Sequence, residues 1–322
     1  MTSQLFACYH AGIIFFWLVF VIKFSISVPR RYNLLSSIHA WIYPDIQPVP
    51  ERTGEQWFGR LFTFDESEVP LYISQQSPGE DLEIHCIESE VPKQKIIEKI
   101  ESILSLNYDI RPSLDIISEE FEFDKLEEEI SGIRPYLSDT LYEALVKSII
   151  QQQVSYRAAN VLTKRLVEFV ASPITFHSQD LFGFPKYTQL LKLGENGLRE
   201  LGIGFKSPYI LQISEKIRSG ELNLETLKDS SYHEISKILR PIKGIGDWTI
   251  QALLIAGVGD FSQFPYGDLG IQNLLGRIYN NGIRIKKQKV IEISSKWGES
   301  GPMVLYLLMC ADVLGLLGDL SR

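Results

Sequence analysis

The sequence of 322 residues has few cysteines and histidines, and neither type follows a metal-ligand pattern. Its three cysteines, Cys8, Cys86 and Cys310, lie far apart and form no CxxC pair, and the five histidines show no ligand spacing. This excludes a local four-cysteine zinc or iron–sulfur loop and suits a reducing compartment. Hydrophobic residues make up 45% of the chain, so we expect packed globular domains.

An overall excess of positive charge is also missing. The formal net charge is -8, which at first sight argues against a polyanionic partner. The charge is uneven, however: residues 1–130 hold 10 Lys and Arg against 22 Asp and Glu, whereas residues 131–322 hold 22 against 18. A surface for nucleic acid is therefore expected in the second part, if the protein has one.

Long apolar runs are scarce, and the longest is Ala11–Ile22, which Lys23 follows directly. It is short for a membrane-spanning helix, which takes ~20 apolar residues, and it lacks the preceding positive charge of a secretory signal. A weak membrane anchor, a start assigned too far upstream and a buried strand or helix all remain open. We expect residues 1–27 to form an extension outside the functional fold, and the protein to be cytoplasmic or associated with the nucleoid.

Residues 28–118 predict a small α+β domain. Strands are favoured across residues 24–90, by FSISV at the border of this domain and by WFGRLFTF, PLYIS and LEIHCIE within it. Lys93–Leu106 carries apolar residues at helical spacing. Residues 119–134 contain the acidic run EEFEFDKLEEEI, which we interpret as a linker or a solvated helix.

Residues 135–322 predict an all-α domain of short helices joined by glycine-containing turns. Leu141, Leu145 and Ile149 repeat every four residues, and Ser155 can cap a following helix that runs through Phe169. The loop with Lys286, Lys287 and Lys289 is expected to be exposed, and it could touch phosphates. Further predicted helices are Tyr187–Leu193, Gly197–Leu201, Pro208–Ser219, Tyr232–Leu239, Trp248–Ala256, Leu269–Tyr279 and Pro302–Leu317.

The segment Ile238–Leu275 contains two motifs. Lys243-Gly244-Ile245-Gly246 lies between two predicted helices, where glycines permit a tight turn and let backbone N–H groups approach a phosphate. Taken alone, this could be a turn whose glycines serve close helix packing. Phe264-Pro265-Tyr266-Gly267-Asp268-Leu269-Gly270 follows some twenty residues later.

Together, GIGDWT and FPYGDLG resemble the helix-hairpin-helix (HhH-GPD) DNA glycosylase superfamily, and most closely its 3-methyladenine DNA glycosylase II branch. LVKSIIQQQVSYRAANVLTKRLVEF and LGIGFKSPYI are similar to further segments of that branch, and HAWIYP and ILSLNYDIRP to its first domain. The resemblance implies an α+β N-terminal domain, with a TATA-binding-protein-like antiparallel sheet and helices, before a mainly α-helical helix-hairpin-helix glycosylase domain.

The resemblance also implies an activity, which is hydrolysis of the N-glycosidic bond of alkylated bases during base excision repair of DNA. Asp268 would be the catalytic carboxylate that stabilises positive charge on the sugar, although an Asp at that place can also serve as a helix N-cap. Trp248 occupies the position of the lysine with which strand-nicking members form a Schiff base, so no AP-lyase activity is expected. The aromatic residues expected to line the base pocket are Trp248, Tyr266, Trp41 and Tyr43.

The partner that the resemblance implies is double-stranded DNA containing damaged bases, bound by a monomer. Gln153, aided by Gln152, would fill the space that the flipped base leaves, although a polar residue in an interhelical turn is an equally simple interpretation. The other residues expected to contact DNA are Gly244, Ile245, Gly246, Thr249 and Ser155. No cofactor is expected beyond a Na⁺ or K⁺ ion on the hairpin carbonyls of Arg240, Ile242 and Ile245.

Some positions depart from the branch. Gln151 stands where a small residue is usual, Pro241 comes earlier than the usual proline, Ala252 replaces an aromatic residue of one relative, and Trp297–Pro302 lacks an aromatic and an arginine. These departures leave undetermined which residues line the base pocket and which base it accepts. The alternatives are a glycosylase for uracil, hypoxanthine or oxidised guanine, a non-catalytic DNA-binding protein, and a membrane-tethered protein of other function.

Overall fold

The computed structural model of the chain describes residues 2–10, 13–121 and 126–318. Within them, six strands form an antiparallel sheet in the order β1-β2-β6-β5-β4-β3. Helices make up most of the chain after this sheet, which confirms the predicted fold class. The strands are β1 Thr2–His10, β2 Ile13–Ile26, β3 Arg52–Thr53, β4 Trp57–Phe64, β5 Ser67–Ser74 and β6 Leu82–Ile87.

The end of the N-terminal apolar run belongs to the sheet, although residues 1–27 were predicted to form an extension outside the fold. Residues 11 and 12 of this run lie outside the described residues, but β2 pairs with β6 from Val21 to Ile26. Val21, Phe24 and Ile26 are buried. The end of the apolar run and the start of the segment FSISV form one strand, β2, whose apolar side chains at these positions pack into the core. The predicted boundary at residue 27 is therefore wrong for residues 21–26. No helix in the described part of the chain is long and apolar enough to cross a membrane.

Helices pack against the sheet and against one another. The predicted apolar stripe of Lys93–Leu106 is confirmed, since Ile96, Ile100 and Ile103 of α2 are buried in one core with residues of β4, β5 and β6. The helices are α1 Leu34–His39, α2 Lys93–Ile103, α3 Arg111–Glu120, α4 Leu126–Ile130, α5 Leu141–Gln151, α6 Tyr156–Val170, α7 Tyr187–Glu200, α8 Ser207–Arg218, α9 Tyr232–Leu239, α10 Asp247–Leu253, α11 Leu269–Tyr279, α12 Lys287–Ser295 and α13 Gly301–Val313.

Of the two interpretations of the acidic segment 119–134, the helix with a solvated face holds for α4, and the linker does not. Residues 122–125 lie outside the described residues, but Leu126, Ile130 and Ile133 are buried in the same core as α11 and α13. The acidic side chains of α4 point outward while its two apolar residues point inward. The segment therefore belongs to the helical part of the protein.

The second domain is not purely helical, which corrects the all-α prediction. Between α6 and α7, strands β7 (Ile174–Phe176) and β8 (Gln179–Leu181) form a hairpin. Its Phe176 and Leu181 are fully buried against Leu61 of β4 and Val21 of β2. The hairpin thereby fastens the helical domain to the sheet.

The lysine loop is also different from its prediction. Lys286 is the residue before α12, and Lys287 and Lys289 lie in the first turn of that helix. Val290 and Ile293 of α12 are buried against α11 and α13. The segment is helical because these apolar residues lie on one face of the helix and pack into the core. The lysines remain exposed on its outer side.

Candidate active site

The helical hairpin predicted around Gly244 is present and runs from α9 to α10. Gly244 has a φ of 88°, and a Cβ atom there would lie 2.3 Å from the ring of Tyr209. Gly246 is the N-cap of α10, and a Cβ atom there would meet no atom within 4 Å. The first glycine is thus needed for the turn, whereas the second leaves the backbone open to approach from outside. Arg240 and Asp247 form an ion pair across the turn.

Gln152 joins this hairpin to the turn between α5 and α6. Its Nε2 donates to the carbonyl oxygen of Gly244 at 2.8 Å and to Oγ1 of Thr249 at 2.9 Å. Thr249 and Ile245 are only 2% and 4% exposed, so any contact of these two residues with DNA would be made by their backbone. The amide of Gln152 thus satisfies polar groups inside the hairpin, and the contacts of Gln152, Ile245 and Thr249 with DNA stay a prediction.

Gln153 lies at the tip of the turn between α5 and α6. It is exposed and has a φ of 58°, a conformation uncommon for a residue with a side chain. Ser155 caps α6 by accepting a hydrogen bond from the Ala158 N–H at 3.2 Å, as expected. The turn, the glycine hairpin and the loop Gly267–Gly270 border one groove of about 1000 Å³.

Asp268 is the N-cap of α11, and its carboxylate is held in one orientation. Oδ1 accepts hydrogen bonds from the backbone N–H groups of Gly270 at 2.8 Å and Ile271 at 3.3 Å. Oδ2 accepts a hydrogen bond from Nε1 of Trp248 at 2.9 Å. Capping uses one oxygen, and the other faces the cavity mouth beside Trp248, so the two roles considered for this residue are compatible.

A cavity of about 140 Å³ opens beside Asp268. Trp41 and Tyr306 stack in its wall with ring centroids 5.2 Å apart, and Tyr156 meets Trp41 edge-on at 5.6 Å. Burial raises the pKa of the Tyr156 and Tyr306 phenols. The aromatic residues of the wall are Trp41, Tyr136, Tyr156, Trp248, Phe264 and Tyr306, and the polar ones include Lys147, Ser148, Gln151, Asn160 and Asp268.

Two of the four aromatic residues predicted for this pocket lie elsewhere. Tyr43 is outside the wall, where its ring lies 6.0 Å from that of Tyr156 and beneath the guanidinium of Arg157. Tyr266 packs on Phe264 and faces a separate depression beside Lys287. Tyr43 is displaced because Tyr156 stands between it and the cavity, and Tyr266 because Phe264 takes the inward position of that loop.

Sequence reasoning missed Tyr156, Tyr306 and Lys147. Tyr306 lies in the apolar run of α13, where nothing distinguishes it from core. Lys147 did leave a signal, since it is a single charge in the otherwise buried stretch Ala144–Ile150 of α5, where only it is not classed as buried.

Lys147 belongs to a buried ionic network below the cavity. Arg60 of β4 bonds Glu51 at 2.8 Å and Glu143 at 2.6 Å, and all three are fully buried. Lys147 Nζ lies 2.6 Å from Glu143 and 3.2 Å from Glu51. Burial alone would lower the pKa of Arg60, but Glu143 and Glu51 hold that pKa above its ordinary value. Burial alone would raise the pKa of Glu143, but Arg60 and Lys147 hold that pKa below its ordinary value. The network connects the sheet to α5.

Metal ligands are not clustered in the described residues, where no three His, Cys, Asp or Glu side chains could hold an ion together. The cation on the carbonyls of Arg240, Ile242 and Ile245 stays a prediction. Of these carbonyls, that of Ile242 already accepts a hydrogen bond from the Ile245 N–H at 3.1 Å, which closes the turn.

The sequence is similar to those of known DNA repair proteins over residues that include the hairpin and Asp268 of this site. Residues 146–300 match the HhH-GPD superfamily of base excision DNA repair proteins. The chain is 26% identical over 208 residues to the DNA-3-methyladenine glycosylase of Bacillus subtilis, covering 64% of this chain and 69% of that protein. It is 23% identical over 254 residues to a probable N-glycosylase/DNA lyase of Methanothermobacter thermautotrophicus, covering 72% and 80%.

A solved structure extends the likeness to the whole fold. The 3-methyladenine DNA glycosylase from Archaeoglobus fulgidus aligns with a TM-score of 0.79 and 26% identity, over 90% of this chain and 98% of that one. The matched residues contain the hairpin, Trp248 and Asp268. Residues 146–300 therefore carry an HhH-GPD domain, and the chain is similar in sequence and fold to 3-methyladenine DNA glycosylases.

Proposed function

We propose that this protein is a monofunctional DNA glycosylase, which hydrolyses the N-glycosidic bond of alkylated bases in double-stranded DNA and leaves the strand intact. The observation that carries the proposal is the hydrogen bond from Trp248 to Asp268 Oδ2 at the mouth of an aromatic cavity. The names of the similar proteins from Bacillus subtilis and Archaeoglobus fulgidus support alkylated purines as substrates.

The groove and the cavity suit two stages of such a reaction. A base within a duplex must leave the stack before it can be reached, which costs a few kcal/mol. Backbone N–H groups beside Gly246 would hold a phosphate, and Gln153 would enter the vacated space. Trp41, Gln151, Tyr156, Trp248, Asp268 and Met309 border both the groove and the cavity, so the flipped base would pass between them.

Asp268 would then act on the sugar. Departure of the base leaves positive charge on the deoxyribose, and a fixed carboxylate lowers the energy of that state. Its orientation by Trp248 and the α11 backbone means that no reorganisation is needed during the reaction. Its free lone pairs can also accept a proton from the attacking water.

Lyase chemistry needs a free amine beside the sugar. Trp248 cannot supply one, and Lys243 is exposed on the outer side of the hairpin turn. Among the described residues, Lys147 is the lysine that lines the cavity, and its ammonium is paired with Glu143 and Glu51. An ion-paired ammonium is not a nucleophile, so this arrangement favours hydrolysis alone.

The test is release of 3-methyladenine and 7-methylguanine from methylated duplex DNA by the wild type and by Asp268→Asn. Asn keeps an oxygen that can cap α11 but lacks the charge, so release should fall by at least about 1000-fold while DNA binding persists. Asp260→Asn is the matched control, because Asp260 also accepts a local backbone hydrogen bond, from Ser262 N–H, and does not line the cavity.

Strand scission separates the two kinds of glycosylase. The product strand should break only after alkali, and borohydride should trap no covalent complex. Trapping that Lys147→Met abolishes would instead establish a bifunctional enzyme. Turnover retained by Asp268→Asn would contradict the mechanism. If the wild type releases neither base, uracil, hypoxanthine and oxidised guanine are the substrates to test next.

A further inference from the structure

Lys147 lies at the inner end of the base cavity. Ala144, Lys147, Ser148 and Gln151 of α5 all line it, at the spacing of one helix face. Gln151 also borders the outer groove and therefore marks the mouth. Lys147 comes one turn earlier on the same face, which places its Cα about 6 Å further along the helix axis.

The accessible charge at this depth is positive. The side chains of Glu51 and Glu143 are 0% exposed, whereas that of Lys147 is 22% exposed. Tyr136 also lines the cavity, but its hydroxyl donates to Glu51 at 2.9 Å. The carboxylates are thus covered by their partners, and Lys147 is the charged residue of this network whose side chain a bound molecule can reach.

Neighbouring hydroxyl groups have their protons engaged. Ser148 donates to the carbonyl oxygen of Ala144 at 2.8 Å, and Thr163 donates to that of Ala159 at 2.9 Å. An ammonium carries three donors and no acceptor. Glu51 Oε1 and Oε2, at 3.2 and 3.3 Å from Nζ, can share one N–H, and Glu143 Oε1, at 2.6 Å, can take a second. The third N–H of Lys147 remains for a hydrogen-bond acceptor in the cavity.

Purines differ in what they offer such a donor. Guanine presents O6 as an acceptor, whereas adenine presents an N6 amino donor at the same place. In 7-methylguanine the methyl group blocks N7 but leaves O6 free, and hypoxanthine carries O6 as well. A fixed donor that meets an amino group leaves both unpaired, which costs binding free energy.

We propose that Lys147 is a specificity-determining residue that donates a hydrogen bond to O6 of a flipped 6-oxopurine. The site then favours 7-methylguanine and hypoxanthine over adenine-type bases, relative to a cavity without this lysine. The inference rests on the proposed glycosylase function and adds the class of base that the cavity reads.

The experiment measures both bases released from one preparation of methylated duplex DNA. Their ratio within a single reaction does not depend on the fraction of enzyme that is folded. Lys147→Met should lower the ratio of 7-methylguanine to 3-methyladenine release by roughly 10-fold to 100-fold. Lys164→Met is the matched control, since Lys164 pairs with Glu168 on α6, outside the cavity wall, and its ratio should equal that of the wild type.

A second variant guards against loss of the fold. Lys147→Met combined with Glu143→Gln removes one charge of each sign, so that Arg60 stays paired with Glu51. It should show the same lowered ratio. An unchanged ratio, or an equal fall in release of both bases, in the variants that turn over would overturn the inference and leave Lys147 a structural role. A wild type that releases neither base would instead contradict the proposed function.

Discussion

Replacing either hairpin glycine by alanine should have opposite consequences for stability and DNA binding. At Gly244 the φ of 88° lies in the left-handed region, and the added Cβ would lie 2.3 Å from the Tyr209 ring. The backbone contributes about 1–2 kcal/mol and the overpacking about 1–3 kcal/mol. Gly244→Ala should therefore lower the free energy of unfolding by about 2–5 kcal/mol, a large part of the ~5–15 kcal/mol typical of a domain.

At Gly246 the same substitution meets no atom within 4 Å, and its φ of -105° suits any residue. Gly246→Ala should change the free energy of unfolding by no more than about 0.5 kcal/mol, because losing a favourable N-cap residue and restricting the unfolded chain act in opposite directions. The new methyl group would stand where a phosphate approaches the backbone, so affinity for undamaged duplex DNA should fall about 10-fold.

Urea unfolding followed by circular dichroism gives the two stabilities, and fluorescence anisotropy with a short labelled duplex gives the affinities. Combining Gly244→Ala with Tyr209→Ala should recover the part of the loss that comes from the ring contact. Equal destabilisation by both glycine variants, or undiminished DNA binding by Gly246→Ala, would refute the division of roles between the glycines.

Three further predictions concern the site and the buried network. Trp248→Phe keeps an aromatic face but removes the Nε1 donor of the 2.9 Å bond to Asp268, so kcat should fall about 10-fold with DNA binding unchanged; an unaltered kcat would contradict the orienting role. Gln153→Ala should weaken binding to lesion-containing duplex more than to undamaged duplex, and equal losses would count against insertion into the stack. Arg60 and Lys147 lower the pKa of Glu143 against the effect of burial, so its stabilising contribution is present above its ordinary pKa of 4.5 and is lost as the pH falls below that value. Glu143→Gln should flatten the acid side of the stability profile, and an unchanged acid limb would show that other groups set it.

Local patterns in the sequence were sufficient for most helices and for the central motif. Ser155 and Asp268 do cap the helices that follow them, and α9 and α11 begin and end where apolar spacing predicts. These features depend on residues within a few positions of one another. Asp268 was singled out as catalytic by the resemblance of GIGDWT and FPYGDLG to the glycosylase superfamily, whereas local pattern alone favoured a helix N-cap.

The cavity wall depended on contacts between distant segments, which no local pattern contains. Trp41 reaches Tyr306 across 265 positions of sequence, and its Nε1 donates to that hydroxyl at 2.6 Å. The sequence does not indicate that Arg60 and Glu143 pair. Arg60 lies in a strand of roughly alternating polarity, and Glu143 lies on a helix face that is otherwise apolar. A burial pattern identifies which positions lie inside, but it does not reveal which of them share a cavity.

The amide of Gln152 has a consequence for how the proposed enzyme would examine DNA. By donating to both Gly244 and Thr249, it ties the turn that carries Gln153 to the hairpin proposed to hold a phosphate. If both contacts form as proposed, the protein would fix the distance along the duplex between the held phosphate and the probed base pair. Each binding position would then test a single base pair, and the enzyme would reach the next by releasing one phosphate and binding another.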